Sequence, residues 1–91
     1  MKVIASPQFQ KKFKKFRKNE QKDIESEIKK ILNDPSLGEA KKQDLQGILV
    51  YKFKVKKQQL LLSYKTSDEA LFLITIGSHE NYYRDLKNYL K

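Results

Sequence analysis

The sequence predicts an α+β domain of order β-α-α-β-β-β-α, with two N-terminal helices packed on a twisted antiparallel sheet. Three observations lead there. Apolar residues recur at helical spacing through the first third, at Phe9, Phe13 and Phe16 and again at Ile24, Ile28, Ile31 and Leu32. From Tyr51 the period changes to two, with Tyr51, Phe53 and Val55 alternating with Lys52, Lys54 and Lys56. The strand-like runs that follow are separated by polar turns of about four residues, which suits an antiparallel meander.

The elements follow in order. Lys2 to Ala5 is short and apolar and is stopped by Pro7, as a first strand would be. Ser6 can cap a helix that has Pro7 at its first position. The three phenylalanines then form one stripe, and Lys11, Lys12, Lys14, Lys15 and Lys18 occupy the other faces. A polar stretch, Lys18 to Lys22, reads as the break before a second helix, whose apolar face is the Ile24–Leu32 series. Pro35 and Gly38 end that helix. Arg17 belongs to a solvated face. Two helices joined by a short link make a hairpin whose apolar sides must cover another layer. That layer is the second half of the chain. "KKQQ" and "TSDE" are its turns, Leu60 to Tyr64 its middle strand, and Ala70 to Ile76 a fully buried last strand that Gly77 breaks. From about Glu80, Tyr83, Leu86 and Leu90 mark one face of a C-terminal helix. No repeat or linker divides the chain, so residues 1–91 are expected to form one domain.

Composition limits the chemistry. There is no cysteine and a single histidine, His79, which argues against disulfides, thiolate catalysis and a structural zinc site; no metal or cofactor is expected. The longest apolar run, Ala70 to Ile74, is far short of the ~20 residues that a membrane span needs. The opening "MKVIASPQFQ" lacks the apolar core of a signal peptide, so the expectation is a cytoplasmic protein without membrane contact. Twenty basic against eleven acidic residues leave a net charge of +9, which points to a polyanionic partner, either nucleic acid or an acidic protein.

Two places concentrate the candidate chemistry. The first is "YKFKVKK", where Lys52, Lys54 and Lys56 share one strand face at intervals of ~7 Å. A sheet face covered by helices would be apolar, so this face is expected to be open. The second is "IGSHENYYR", where His79 follows the last strand and Tyr82, Tyr83 and Arg84 come one turn later. Histidine is the side chain that ordinarily titrates near neutral pH, and exposed tyrosines can stack on unpaired bases.

In this arrangement the chain resembles the RelE/ParE family of bacterial toxins from type II toxin–antitoxin systems. The resemblance runs nearly end to end. It comprises two amphipathic helices, Leu45 and Gly47 ahead of the sheet, the Tyr51–Lys54 segment, a strand ending in Tyr64, and a last strand ending in Ile76 and Gly77. Gly77, Ser78 and His79 look like the motif where several ribosome-dependent members carry a catalytic histidine. The resemblance implies a metal-independent endonuclease that cuts mRNA on the ribosome, with the RNA's own 2′-hydroxyl attacking the adjacent phosphate. It gives His79, Lys52 and Lys54 to proton transfer and charge neutralisation, and Lys56, Tyr82, Tyr83 and Arg84 to RNA binding. One departure stands out. The family's nucleases carry an arginine in the middle of the strand that ends at Tyr64, and Leu61 occupies that place here. The ParE branch shares the fold and poisons DNA gyrase instead. Both readings imply a cognate antitoxin, acidic and partly disordered until bound, and contact with operator DNA only through that antitoxin.

Overall fold

The structure is a computed structural model that describes residues 2–40 and 47–78. Its elements are β1 (Lys2–Ala5), α1 (Pro7–Lys14), α2 (Lys18–Asn33), a 3₁₀ turn (Pro35–Leu37), β2 (Glu39–Ala40), β3 (Leu49–Val55), β4 (Gln58–Thr66) and β5 (Ala70–Ser78). The expected C-terminal helix lies outside the described residues.

The sheet has five strands in the order β1-β5-β4-β3-β2. The meander β3-β4-β5 is antiparallel, as the short turns require, and β2 extends it antiparallel to β3. β1 joins the far edge parallel to β5, Lys2 opposite Ala70 and Ala5 opposite Leu73. Parallel pairing needs a long crossover, here supplied by everything between the two strands. The two-residue strand β2 carries no sequence period and was not expected.

Both helices cover one side of the sheet. Phe9 of α1 and Ile24 and Ile31 of α2 pack there on Phe53, Val55, Leu60, Leu62, Tyr64, Leu71, Leu73 and Ile76. Phe13, Phe16, Ile28 and Leu32 are partly buried around that core, and the Phe9 and Phe13 rings stack 5.9 Å apart. The phenylalanine stripe thus faces the core as its spacing predicts, although Phe16 lies past the end of α1.

Three expectations are corrected. Lys18 to Lys22 is no break but the opening of α2. Glu20 Oε1 accepts the Arg17 N–H at 2.9 Å, and Gln21 Nε2 reaches back to the carbonyls of Phe13 (3.2 Å) and Phe16 (3.0 Å). These polar residues satisfy backbone groups that helix ends leave bare. The turn after β3 is two residues, because Val55 pairs with Gln58, and Lys56 takes a left-handed φ of 57°. Finally, β5 runs through Gly77 to Ser78 and is not wholly buried, since Phe72 is 38% exposed.

Between α2 and β2 the chain is pinned by Tyr64. Its fully buried hydroxyl accepts the Gly38 N–H at 2.8 Å and donates to the Pro35 carbonyl at 2.6 Å. A Cβ on Gly38 would stand 2.5 Å from that oxygen, so only glycine fits there. Burial pushes the Tyr64 phenol above its ordinary range.

Candidate functional site

The side of the sheet away from the helices carries the strand lysines. β3 sends Tyr51, Phe53 and Val55 to the helices and Lys52 and Lys54 to the opposite side, where both are exposed. β3 is held in this orientation from behind. The Tyr51 hydroxyl donates to Glu27 Oε1 of α2 at 2.7 Å, Lys30 Nζ reaches Glu27 Oε2 at 2.8 Å, and the Tyr51 and Phe53 rings stack at 5.6 Å. Burial and the Glu27 carboxylate push the Tyr51 phenol up to about 12. Burial acts to raise Glu27, but its hydrogen bonds to Lys30 and Tyr51 outweigh that and hold the carboxyl below its ordinary value. The network ties β3 to α2 and so fixes which way Lys52 and Lys54 point.

Register assigns the neighbours. Lys52 lies opposite Leu61, and Leu61 opposite Gly77, so the three form one row across the sheet. Lys54 lies opposite Gln59 in the next row, and Lys56 stands exposed at the turn beyond. Leu60 pairs with Ser78, the last residue of β5, and His79 is the next residue in the sequence. The placements of His79, Tyr82, Tyr83 and Arg84 lie outside the described residues.

This side of the sheet is not uniformly open, contrary to the expectation from its lysines. Ile48, Val50, Leu61 and Ile74 form a second buried apolar cluster, with Ser63 and Thr75 fully buried beside it. Ser63 Oγ accepts the Thr75 N–H at 3.2 Å. Leu61, the residue in the arginine's place, is completely buried, so the middle of the lysine row is apolar. Gly77 and Ser78, at its other end, are half-exposed. The arrangement is a line of cations along β3 beside an apolar centre, with a side-chain-free position at the far end.

One side chain near Gly77 was not singled out by the sequence. Lys12 of α1 brings its Nζ to 3.9 Å from where a Cβ of Gly77 would stand. Lys12 sits among five lysines of similar pattern, so spacing could not single it out.

A family model of the ParE-like toxin of type II bacterial toxin–antitoxin systems matches residues 3–87. The chain belongs to that family. The toxin's fold agrees. A chain of the intact E. coli RelBE toxin–antitoxin complex superposes with a TM-score of 0.66 at 19% identity, over 87% of this toxin and 96% of that chain. The isolated E. coli RelE toxin gives 0.65 at 20% identity over 96% of each chain. A YoeB/ParE toxin from Agrobacterium tumefaciens gives 0.67 at 16%, over 87% of this toxin and 99% of the other. Among curated proteins, none matches the sequence. Among the described residues no helix is long and apolar enough to cross a membrane.

Proposed function

We propose that this toxin is a ribosome-dependent mRNA endonuclease, silenced by a cognate antitoxin. The observation that carries the reading is the row Lys52–Leu61–Gly77, which sets an exposed strand lysine in register with the β5 end that leads into His79. In this reading the RNA's 2′-oxygen attacks the neighbouring phosphorus, and the bond from phosphorus to the 5′-oxygen breaks. His79 and one of Lys52 and Lys54 divide the two proton transfers, one taking the 2′-hydroxyl proton and the other giving a proton to the departing 5′-oxygen, and the remaining lysine offsets the charge that builds on the phosphoryl oxygens. Lys56, Tyr82, Tyr83 and Arg84 hold the flanking nucleotides. The reading is metal-independent, with His79 and the strand lysines supplying the proton transfers and the positive charge.

The antitoxin follows from the family and from charge. A toxin of net charge +9 suits an acidic segment that folds on binding. The E. coli neighbour whose structure is a RelBE toxin–antitoxin complex supports the same pairing.

A second reading rests on Leu61. An apolar, fully buried residue at the centre of the row supplies no cation to a phosphate, and a gyrase-inhibiting toxin needs none there. The two readings separate in one experiment. The wild-type chain, His79→Ala and Lys52→Ala/Lys54→Ala are induced in bacteria without antitoxin, and mRNA 5′ ends are mapped alongside growth. The endonuclease reading expects arrest with new ends inside ribosome-bound codons, lost in both variants. Arrest with no new ends, persisting in the variants and accompanied by a DNA-damage response, would overturn it in favour of gyrase.

A further inference from the structure

We propose that the outer edge of β1 is a docking site of this toxin, where an acidic, extended segment of the antitoxin adds a sixth strand to the sheet. The assignment rests on the antitoxin reading above and names the place and manner of that contact.

The edge is set by hydrogen-bond phase. The Lys2 N–H donates to the Glu69 carbonyl at 3.0 Å and the Ser6 N–H to the Leu73 carbonyl at 2.9 Å, so the even-numbered residues address β5. In a parallel ladder the residues between them turn both backbone groups the other way. Val3 and Ala5 therefore point their N–H and C=O groups off the sheet, of which β1 is the outermost strand. Gln10 of α1 closes one end of this edge, since its Nε2 donates to the Ala5 carbonyl at 2.8 Å. Val3 is the open part, with two backbone groups that an added strand can pair.

The side chains along that edge are apolar and exposed. Val3 is 44% exposed, Ile4 46% and Phe72 38%, three of the four large hydrophobic side chains that stand exposed among the described residues. Ile4 lies opposite Phe72 in the register, which puts both on one side of the sheet as a single patch. Edge strands ordinarily carry charges or proline to prevent pairing with another chain, and the middle of β1 carries neither. A bare strand edge supplies main-chain hydrogen bonds to an arriving strand, and the apolar side chains beside it supply specificity.

Charge selects the occupant. Lys2 begins the strand and Lys65 of β4 lies opposite Phe72, while Asp68 and Glu69 belong to the turn before β5, at the Lys2 end of the edge. A second copy would bring +9 against +9 across a strand of four residues, and that repulsion opposes the pairing. An acidic segment gains from the same charge. A segment disordered until it binds also brings backbone groups not yet committed to a sheet of its own.

The test follows amide hydrogen exchange in the full-length toxin in three states: alone, with a short peptide of alternating glutamate and valine, and in complex with its co-expressed cognate antitoxin. The peptide and the antitoxin should each slow exchange at Val3 roughly tenfold or more, because that amide passes from water into a ladder. The same peptide with lysine in place of glutamate should give no protection. Ile4→Lys is expected to weaken binding of the glutamate peptide about tenfold, through the lost burial of one apolar side chain, and Phe72→Lys should do the same. Leu37→Lys makes the same charge change at an equally exposed apolar residue on the 3₁₀ turn and should cost less than about twofold. Melting curves show whether each variant is folded, and the wild-type exchange data carry the test if one is not. Equal losses for Ile4→Lys and Leu37→Lys, equal protection by the two peptides, or an antitoxin complex in which Val3 exchanges as fast as in the free toxin would overturn the assignment and leave the antitoxin reading standing. Exchange at Val3 that slows as the toxin alone is concentrated would overturn it in favour of a second copy. A toxin that forms no complex with the co-expressed antitoxin would sink the antitoxin reading itself.

Discussion

Replacing Tyr64 with phenylalanine removes one oxygen atom and two hydrogen bonds from the largest fully buried side chain among the described residues. The Gly38 N–H at 2.8 Å and the Pro35 carbonyl at 2.6 Å both lose their partner. Gly38 is buried, so its N–H carries a full desolvation penalty of about 1–3 kcal/mol. Pro35 is half-buried and its carbonyl recovers part of its loss from water. The sum is about 2–4 kcal/mol, which in a domain of this size lowers Tm by roughly 10–25 °C. The assay is urea unfolding followed by far-UV circular dichroism, where the midpoint should fall at unchanged m. Gly38→Ala tests the same contact from the other side. Its Cβ would lie 2.5 Å from the Tyr64 oxygen and 2.8 Å from Cε1, so removing the hydroxyl cannot relieve the clash with the ring. Gly38→Ala should therefore be destabilising in the Tyr64→Phe background as well. A loss below about 0.5 kcal/mol for Tyr64→Phe, typical of an inert surface change, would refute the claim that this hydroxyl pins the α2–β2 connection.

Two further outcomes follow from the same structure. Lys56 has φ 57°, a conformation that costs an L-residue roughly 1–2 kcal/mol, so Lys56→Gly should raise the urea midpoint by about 0.5–1 kcal/mol of stability once the glycine's extra unfolded freedom is subtracted. The Glu27–Tyr51 pair should give stability two pH edges. Glu27 is held below its ordinary value, so its contribution is present above the unfolded pKa and is lost as pH falls through the lower folded one. Tyr51 is raised to about 12, so its contribution is complete below the ordinary 10 and fades between 10 and about 12. Glu27→Gln should remove the acid edge and weaken the alkaline one in unfolding curves taken across pH.

The helix-facing half of the fold was legible because burial imposes a period. Phe9, Ile24, Ile31, Phe53, Leu60 and Leu62 all occupy the side their spacing predicts. Boundaries were harder where polar residues serve the backbone. Asn19, Glu20 and Gln21 look like a linker in sequence, yet Glu20 and Gln21 spend their side chains on the N–H and carbonyls of the α1–α2 junction. Burial on the opposite side of the sheet was hidden for another reason. Lys52 and Lys54 announce an open surface, while Val50, Leu61 and Ile74 form the apolar centre beside them, and alternation cannot report a side that is part charged and part buried. Among the described residues the strand lysines were legible from their alternation, whereas the approach of Lys12 to Gly77 comes from tertiary packing that no local pattern encodes.

One irregularity decides what that site contains. Leu71 and Leu73 face the helices, and strict alternation would carry Thr75 and Gly77 to the same side. Instead the register shifts between Ser63 and Tyr64, leaving Ile74 as an extra residue on β5. After it, Ile76 enters the helix-side core and Gly77 turns to the lysine side, opposite Leu61. Ser63 secures the shift, because its hydroxyl accepts the Thr75 N–H at 3.2 Å and lies 3.4 Å from the Thr75 carbonyl. A bulge re-aims the residues beyond it. Here it exchanges the two sides of the last strand just before the chain reaches His79. Without that extra residue the Lys52 row would end on the apolar Ile76, and Lys12 would face a side chain in place of open backbone. The row that starts at Lys52 ends on a glycine because β5 changes phase before reaching it.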